Sequence, residues 1–169
     1  MSFQKDSIDE VQEQWNGIMP YLDTSPMVIT GRIRFLAQAI QAGSDAVLAK
    51  QGLTRADFDI LSVLVRSGRP LSPTEITSQS LISAPGTTKR VKKLESDGLI
   101  QRISNPKDGR GYLVEPTEKS LGIFGPAVEA ISAYERKLLD QMASRDVINL
   151  TEGLRGLVSI IRKSNGSDD

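Results

Sequence analysis

A mainly α-helical fold carrying one small β-hairpin is predicted by three features of this 169-residue sequence. Apolar residues recur at three- and four-residue spacing through most of the chain, the period of amphipathic helices. Helix-start signals, a hydroxyl residue followed three positions later by a carboxylate, stand at Thr54-x-x-Asp57 and Ser72-x-x-Glu75. Between Gly98 and Thr117 the helical period is lost, and two short apolar runs flank Asn105-Pro106-Lys107-Asp108-Gly109, whose Asn-Pro and Asp-Gly pairs favour a turn. The length suits one domain over residues 1–169, with ample core.

The first expected element is a short helix from about Ser7 to Trp15, with Ile8, Val11 and Trp15 on one face. Met19-Pro20 and Ser25-Pro26 bracket an irregular stretch. A long helix then runs from about Pro26 to Gln51, with Val28, Ile29, Ile33, Leu36, Ala37, Ile40, Val47 and Leu48 at helical spacing. Gly52 ends it and Thr54 caps the next helix, whose expected buried stripe is Phe58, Leu61, Leu64 and Val65. After the turn Ser67-Gly68-Arg69-Pro70, Ser72 as N-cap, Pro73 at the first helical position and Glu75 begin a short helix ending near Gln79. Leu81-Ile82 form a turn, and Ser83 caps a helix running to about Asp97, which Gly98 can end in a left-handed conformation. Leu99–Ile103 and Gly111–Glu115 read as the two strands of the hairpin. Thr117 caps a long helix to about Ala143, a last helix runs from about Asp146 to Arg162, and Ser164 to Asp169 reads as a tail.

Composition removes several function classes. The chain has no cysteine and no histidine, which excludes disulfides, thiolate redox sensing, Ser-His-Asp and Cys-His catalysis and most zinc sites. No phosphate-loop or dinucleotide pattern is present, and no close carboxylate pair lies in a catalytic setting, so no enzyme, metal site or cofactor is expected. No stretch reaches the ~20 apolar residues of a membrane span, and the polar start has no secretory core, so a cytoplasmic protein is expected.

The formal charge is zero, but it is unevenly placed. Residues 1–82 carry 7 basic and 9 acidic groups, residues 83–110 carry 7 and 3, and residues 111–169 carry 7 and 9. A solvated helix face is the ordinary reading of one basic cluster; its position gives the other. A short helix, a tight turn and a basic second helix make a helix-turn-helix, and the hairpin after it is a wing. With Leu94 as origin and about 100° per residue, Thr87, Val91 and Gly98 fall within about 60° of it and face the protein. Pro85, Thr88, Lys89, Lys92 and Lys93 fall on the other side. Such a helix fits the major groove of double-stranded DNA, with lysines on phosphates and Ser83, Thr88 and the helix N-terminus within reach of bases or phosphates. On the wing, Lys107 and Arg110 are basic, and Asp108 can pair with Arg110 and aim it at the minor groove; a surface ion pair alone is the alternative.

Here the sequence resembles the MarR family. The segments GLTRADFDILSVL, LSPTEI, TTKRVKKLESDGLIQR and DGRGYLVEPTEK follow that family's pattern in order and spacing, and the resemblance runs from about residue 27 to the end. Pro116 and Ser120 depart from it, where the family usually has Leu and Gly. The resemblance implies a triangular homodimer with dimerisation helices over about 8–50 and 117–163, a winged helix-turn-helix over about 54–116, and a palindromic DNA site. The apolar load of the last two helices agrees with a dimer: Ile123, Phe124, Val128, Ile131, Leu138, Leu139, Leu150, Leu154, Leu157, Val158, Ile160 and Ile161 exceed what one subunit covers easily.

Arg90 departs from the DNA-facing pattern. It falls about 40° from Leu94, on the protein side, where a charge needs a partner. Asp57 is a candidate, and Arg102 is a second cation at the same level. The set resembles a urate-responsive subgroup of the family, which has a Trp on an extra N-terminal helix, an Asp before the helix-turn-helix and two Arg residues on and after the recognition helix. Trp15, Asp57, Arg90 and Arg102 match those positions. The resemblance implies a small, planar anionic ligand such as urate, stacked by Trp, neutralised by Arg and hydrogen-bonded by Asp. The function expected is therefore a repressor released from a palindromic operator by that ligand. The alternatives are the same fold answering to a phenolic or other lipophilic ligand, and a winged-helix protein-interaction module that does not bind DNA.

Overall fold

The computed structural model describes residues 4–80, 82–106 and 111–165, excepting the Asn165 side chain. Its elements are α1 (Ser7–Ile18), α2 (Ser25–Ala49), α3 (Arg55–Ser67), α4 (Pro73–Gln79), α5 (Ala84–Ser96), β1 (Ile100–Ser104), β2 (Tyr112–Pro116), α6 (Glu118–Leu139) and α7 (Ser144–Asn165). The mainly helical class with one hairpin is therefore as expected. Two compact units divide the chain, Met1–Ala127 and Val128–Asp169.

In the first unit the caps act as the sequence predicts. Thr54 accepts from the Asp57 N–H, and the Asp57 carboxylate accepts from the Thr54 N–H; Ser72 and Glu75 do the same for α4. Gly52, Gly68 and Gly98 take left-handed backbone angles after α2, α3 and α5, where a side chain would be strained. Helix α1 extends beyond Trp15 to Ile18 because its ladder continues, with the Met19 N–H donating to the Trp15 carbonyl at 2.8 Å. It lies on α2 at Gly31, where an added Cβ would come within 3.2 Å of the Ile8 side chain. Arg32 next to it donates to Asp6 at 2.8 Å and to Asp9 at 2.6 Å, the two residues of the α1 capping box.

Helix α3 is the centre of this unit. It packs against α2, α4, α5 and β2, so it buries Ile60, Leu61, Val63 and Leu64 on more than one face. Phe58 and Val65, expected in a single stripe, are only half-buried for the same reason. The Phe58 ring stacks on Phe124 with centroids 5.3 Å apart. Leu48, Leu53, Leu71, Ile76, Val91, Leu94, Leu99, Ile100 and Val114 complete the core.

Strands β1 and β2 pair antiparallel from Ile100↔Pro116 to Ser104↔Tyr112. Leu71 adds a bridge to Val114 through bonds of 3.0 and 2.8 Å, tying the start of the α4 segment to the hairpin. Both strands lie one residue later than expected, because the Leu99 N–H turns back to the Leu94 carbonyl at 2.8 Å and closes α5. Pro116 sits at the end of its strand, where a missing N–H is tolerated.

In the second unit α6 ends at Leu139, earlier than the expected Ala143. The Ala143 carbonyl instead accepts from the Asp146 and Val147 N–H groups and so starts α7 at Ser144. Helix α7 runs past Arg162 to Asn165, and the Ser164 hydroxyl donates to the Ile160 carbonyl at 3.1 Å, so Ser164 and Asn165 belong to the helix rather than to a tail. Leu150, Leu154, Val158 and Ile161 of α7 are exposed. Among the described residues no helix is long and apolar enough to cross a membrane.

Candidate functional site

Helix α5 is built two-sided. Thr87, Val91 and Leu94 are fully buried, and Ser83, Pro85, Thr88, Lys89, Lys92 and Lys93 are exposed. The Ser83 hydroxyl accepts from the Gly86 N–H at 3.4 Å, and Pro85 lies in the first turn, where no intrahelical donor is needed. Gly86 has no room for a side chain: a Cβ there would lie 2.9 Å from Ile82 and 3.2 Å from the Ser83 hydroxyl. The start of α5 is thus held close to the turn before it. The expected wing residues Lys107, Asp108 and Arg110 lie outside the described residues.

The four expected effector residues do not form one cluster within the described interactions. Asp57 and Arg90 do meet. The Asp57 side chain is 2 % exposed and lies 3.4 Å from Arg90 Nη1, longer than the 2.7–2.9 Å of a tight charge-assisted bond. Its other oxygen takes the Thr54 N–H at 3.1 Å and the Thr54 hydroxyl at 2.6 Å. Arg102 is engaged elsewhere: it pairs with Glu95 of α5 at 2.8 Å and lies 4.3 Å over the Tyr112 ring. Trp15, 37 % exposed, lies on α1, which packs on α2.

Sequence reasoning missed two of these interactions. Lys93, expected on the outward face, reaches Asp97 at 2.6 Å and stands 3.7 Å from Asp57. The bond to Asp97, helped by the Asp57 charge and opposed by burial and Arg90, holds its ammonium above the usual lysine range. The signal was available as Lys93–Asp97 spacing on a helix, while the reach to Asp57 needed the α3–α5 packing. The Glu95–Arg102–Tyr112 clamp joins α5 to both strands of the hairpin. Tyr112 pairs with Ser104, two residues along from Arg102, and such diagonal neighbours reach each other across a ladder.

Comparison with known proteins places this arrangement. The pattern described as MarR family matches residues 51–111, the stretch from just after α2 through β1 to the residue before β2. The HTH-type transcriptional regulator PecS of Dickeya dadantii is 28 % identical over 145 residues, covering 85 % of this chain and 87 % of that protein. Residues 51–111 thus match the MarR family, and the chain is similar over most of its length to an HTH-type transcriptional regulator. Solved structures agree on the fold. The transcriptional regulator BldR from Sulfolobus solfataricus superposes with a TM-score of 0.67 at 26 % identity, over 80 % of this chain and 96 % of that one. A mutant MarR from E. coli complexed with operator DNA gives 0.67 at 22 % identity, over 85 % and 96 %. In this winged helix-turn-helix fold α4 and α5 are the helix-turn-helix, β1 and β2 the wing, and the buried Asp57 lies behind the second helix of that pair.

Proposed function

We propose that this regulator is a cytoplasmic repressor that binds a palindromic operator as a homodimer and is released by a small anionic ligand such as urate. The observation that carries the proposal is the two-sidedness of α5, with its fully buried Thr87, Val91 and Leu94 behind an exposed basic front. Lys89 and Lys92 take phosphates, while Ser83, Pro85 and Thr88 at the helix start approach the base edges. Lys107, Asp108 and Arg110 serve the adjacent groove from the wing. Exposed apolar residues on α2, α6 and α7, among them Ile29, Phe35, Val128, Leu154 and Ile161, support a second copy as partner.

The effector acts through Arg90. An anion drawn to this arginine competes with Asp57 for it, and the long Arg90–Asp57 distance leaves the pair easy to part. Trp15 and Arg102 are the further ligand groups, Arg102 by exchanging Glu95 for the ligand. A ligand that prefers the DNA-incompetent form about 100-fold shifts the balance by about 2.7 kcal/mol, enough to clear an operator held near half-saturation.

The test is a mobility-shift assay on a duplex selected by the protein from a random pool, with urate and a phenolic acid titrated separately. The expected result is a complex that urate dissolves for the natural chain and fails to dissolve for Asp57→Asn and Arg90→Ala. Full urate response by both variants overturns the effector site. Release by the phenolic acid alone transfers the function to a lipophilic ligand. A protein that selects no duplex at low ionic strength overturns the DNA reading.

A further inference from the structure

The cation set on α5 divides into two kinds. All three lysines, Lys89, Lys92 and Lys93, are exposed, but the Lys93 ammonium, with its side chain 46 % exposed, bonds Asp97 at 2.6 Å and faces Asp57 at 3.7 Å. Asp57 is almost fully buried on α3, so its charge requires compensation from the chain. Arg90 supplies this only at 3.4 Å, through one carboxylate oxygen. The other oxygen is taken by Thr54 and is the one that Lys93 faces. Arg90 and Lys93 are one helical turn apart, so together they span both oxygens of the same buried carboxylate.

We infer that Lys93 is a positioning residue, the second pin of a latch that holds the recognition helix α5 to Asp57 of α3, and not a phosphate ligand. Asp97 at the end of α5 steers the lysine. The latch has a loose pin, Arg90, and a steered pin, Lys93. When an anion removes Arg90, Lys93 still compensates Asp57, and it thereby sets how much ligand is needed to free the helix. This inference rests on the proposed repressor reading for its consequence, but the latch itself is a property of the folded chain.

The experiment measures duplex affinity against salt for Lys89→Met, Lys92→Met, Lys93→Met and Lys93→Arg in the full-length protein. Each phosphate that is no longer neutralised flattens the log–log salt slope by about one. Lys89→Met and Lys92→Met should flatten it. Lys93→Met should keep the natural slope while weakening binding by about two- to thirtyfold, the range expected of a residue acting through a packed element. Lys93→Arg, still able to bridge both carboxylates, should restore affinity. A Lys93→Met slope flattened like its neighbours' overturns the inference. Urea unfolding of Asp57→Asn, Lys93→Met and the double variant answers the latch separately from DNA binding. Non-additive effects support it and additive effects overturn it, even if the natural protein binds no duplex and the repressor reading falls.

Discussion

Glu75 shows how much one side chain can hold at the residue scale. Its carboxylate accepts from the Ser72 N–H at 2.8 Å and the Ser72 hydroxyl at 2.8 Å, and Arg69 donates to it at 2.7 Å. These bonds, the Ser72 N–H foremost and Arg69 next, lower its pKa to about 2. The folded value lies below the unfolded one, so the capped state is fully favoured above the ordinary carboxylate range. That contribution is lost as the pH falls from about 4.5 towards about 2. Glu75→Gln keeps a capping acceptor but cannot titrate, so its unfolding midpoint in urea should fall less steeply over that pH range than the natural chain's; an identical acid limb would show that Glu75 is uncoupled from folding. The box was legible in Ser72-Pro73-Thr74-Glu75, because capping is local. Lys93 was not, because a helical wheel ranks positions by angle and a long side chain on the flank of α5 can bend inward to Asp57.

Helices and strands were legible in kind and less so in extent. Local signals, such as Thr54, Ser72, Ser83, Gly52, Gly68 and Gly98, marked their boundaries within a residue or two. The boundary at Ala143 was missed because Ala carries no capping signal in its side chain; only its carbonyl starts α7. Likewise the one-residue shift of both strands comes from how α5 closes on Leu94, a backbone choice that periodicity does not record. Docking of α1 on α2 is the element-scale feature most open to test. It depends on Gly31, where even a Cβ presses on Ile8, and on the Arg32 bonds to Asp6 and Asp9. Gly31→Leu should lift α1 from α2. Trp15 on α1 is the sole tryptophan, so its emission should shift to the red in the variant. Unchanged emission and unchanged protease resistance of α1 would mean that the close approach is dispensable.

For the whole molecule, the likeness to the family and the helix-turn-helix were legible because they rest on an ordered set of local signals. The proposed effector set was legible only in part: the sequence paired Asp57 with Arg90, but it could not foresee that Glu95 and Tyr112 engage Arg102. Those interactions join elements that no local period links. The proposed dimer is tested at the same scale. Leu154 and Ile161 lie one heptad apart on α7 and are 42 % and 50 % exposed. Each large apolar side chain buried on association contributes about 1.5–3 kcal/mol. Leu154→Glu with Ile161→Glu should therefore turn the proposed dimer into monomers in sedimentation at micromolar concentration and abolish the proposed operator binding. A double variant that sediments as a dimer would place the subunit interface elsewhere.

Salt dependence of duplex binding by the natural protein tests the central claim most directly, because neutralised phosphates release counterions in proportion to their number. If Lys89 and Lys92 of both subunits, together with the wing cations Lys107 and Arg110, lie on the DNA backbone of two half-sites, about six or more phosphates are neutralised. Affinity should then fall by about a thousandfold or more between about 50 and 200 mM salt, along a straight log–log line. A flat line, or no binding at the lower concentration, would contradict it.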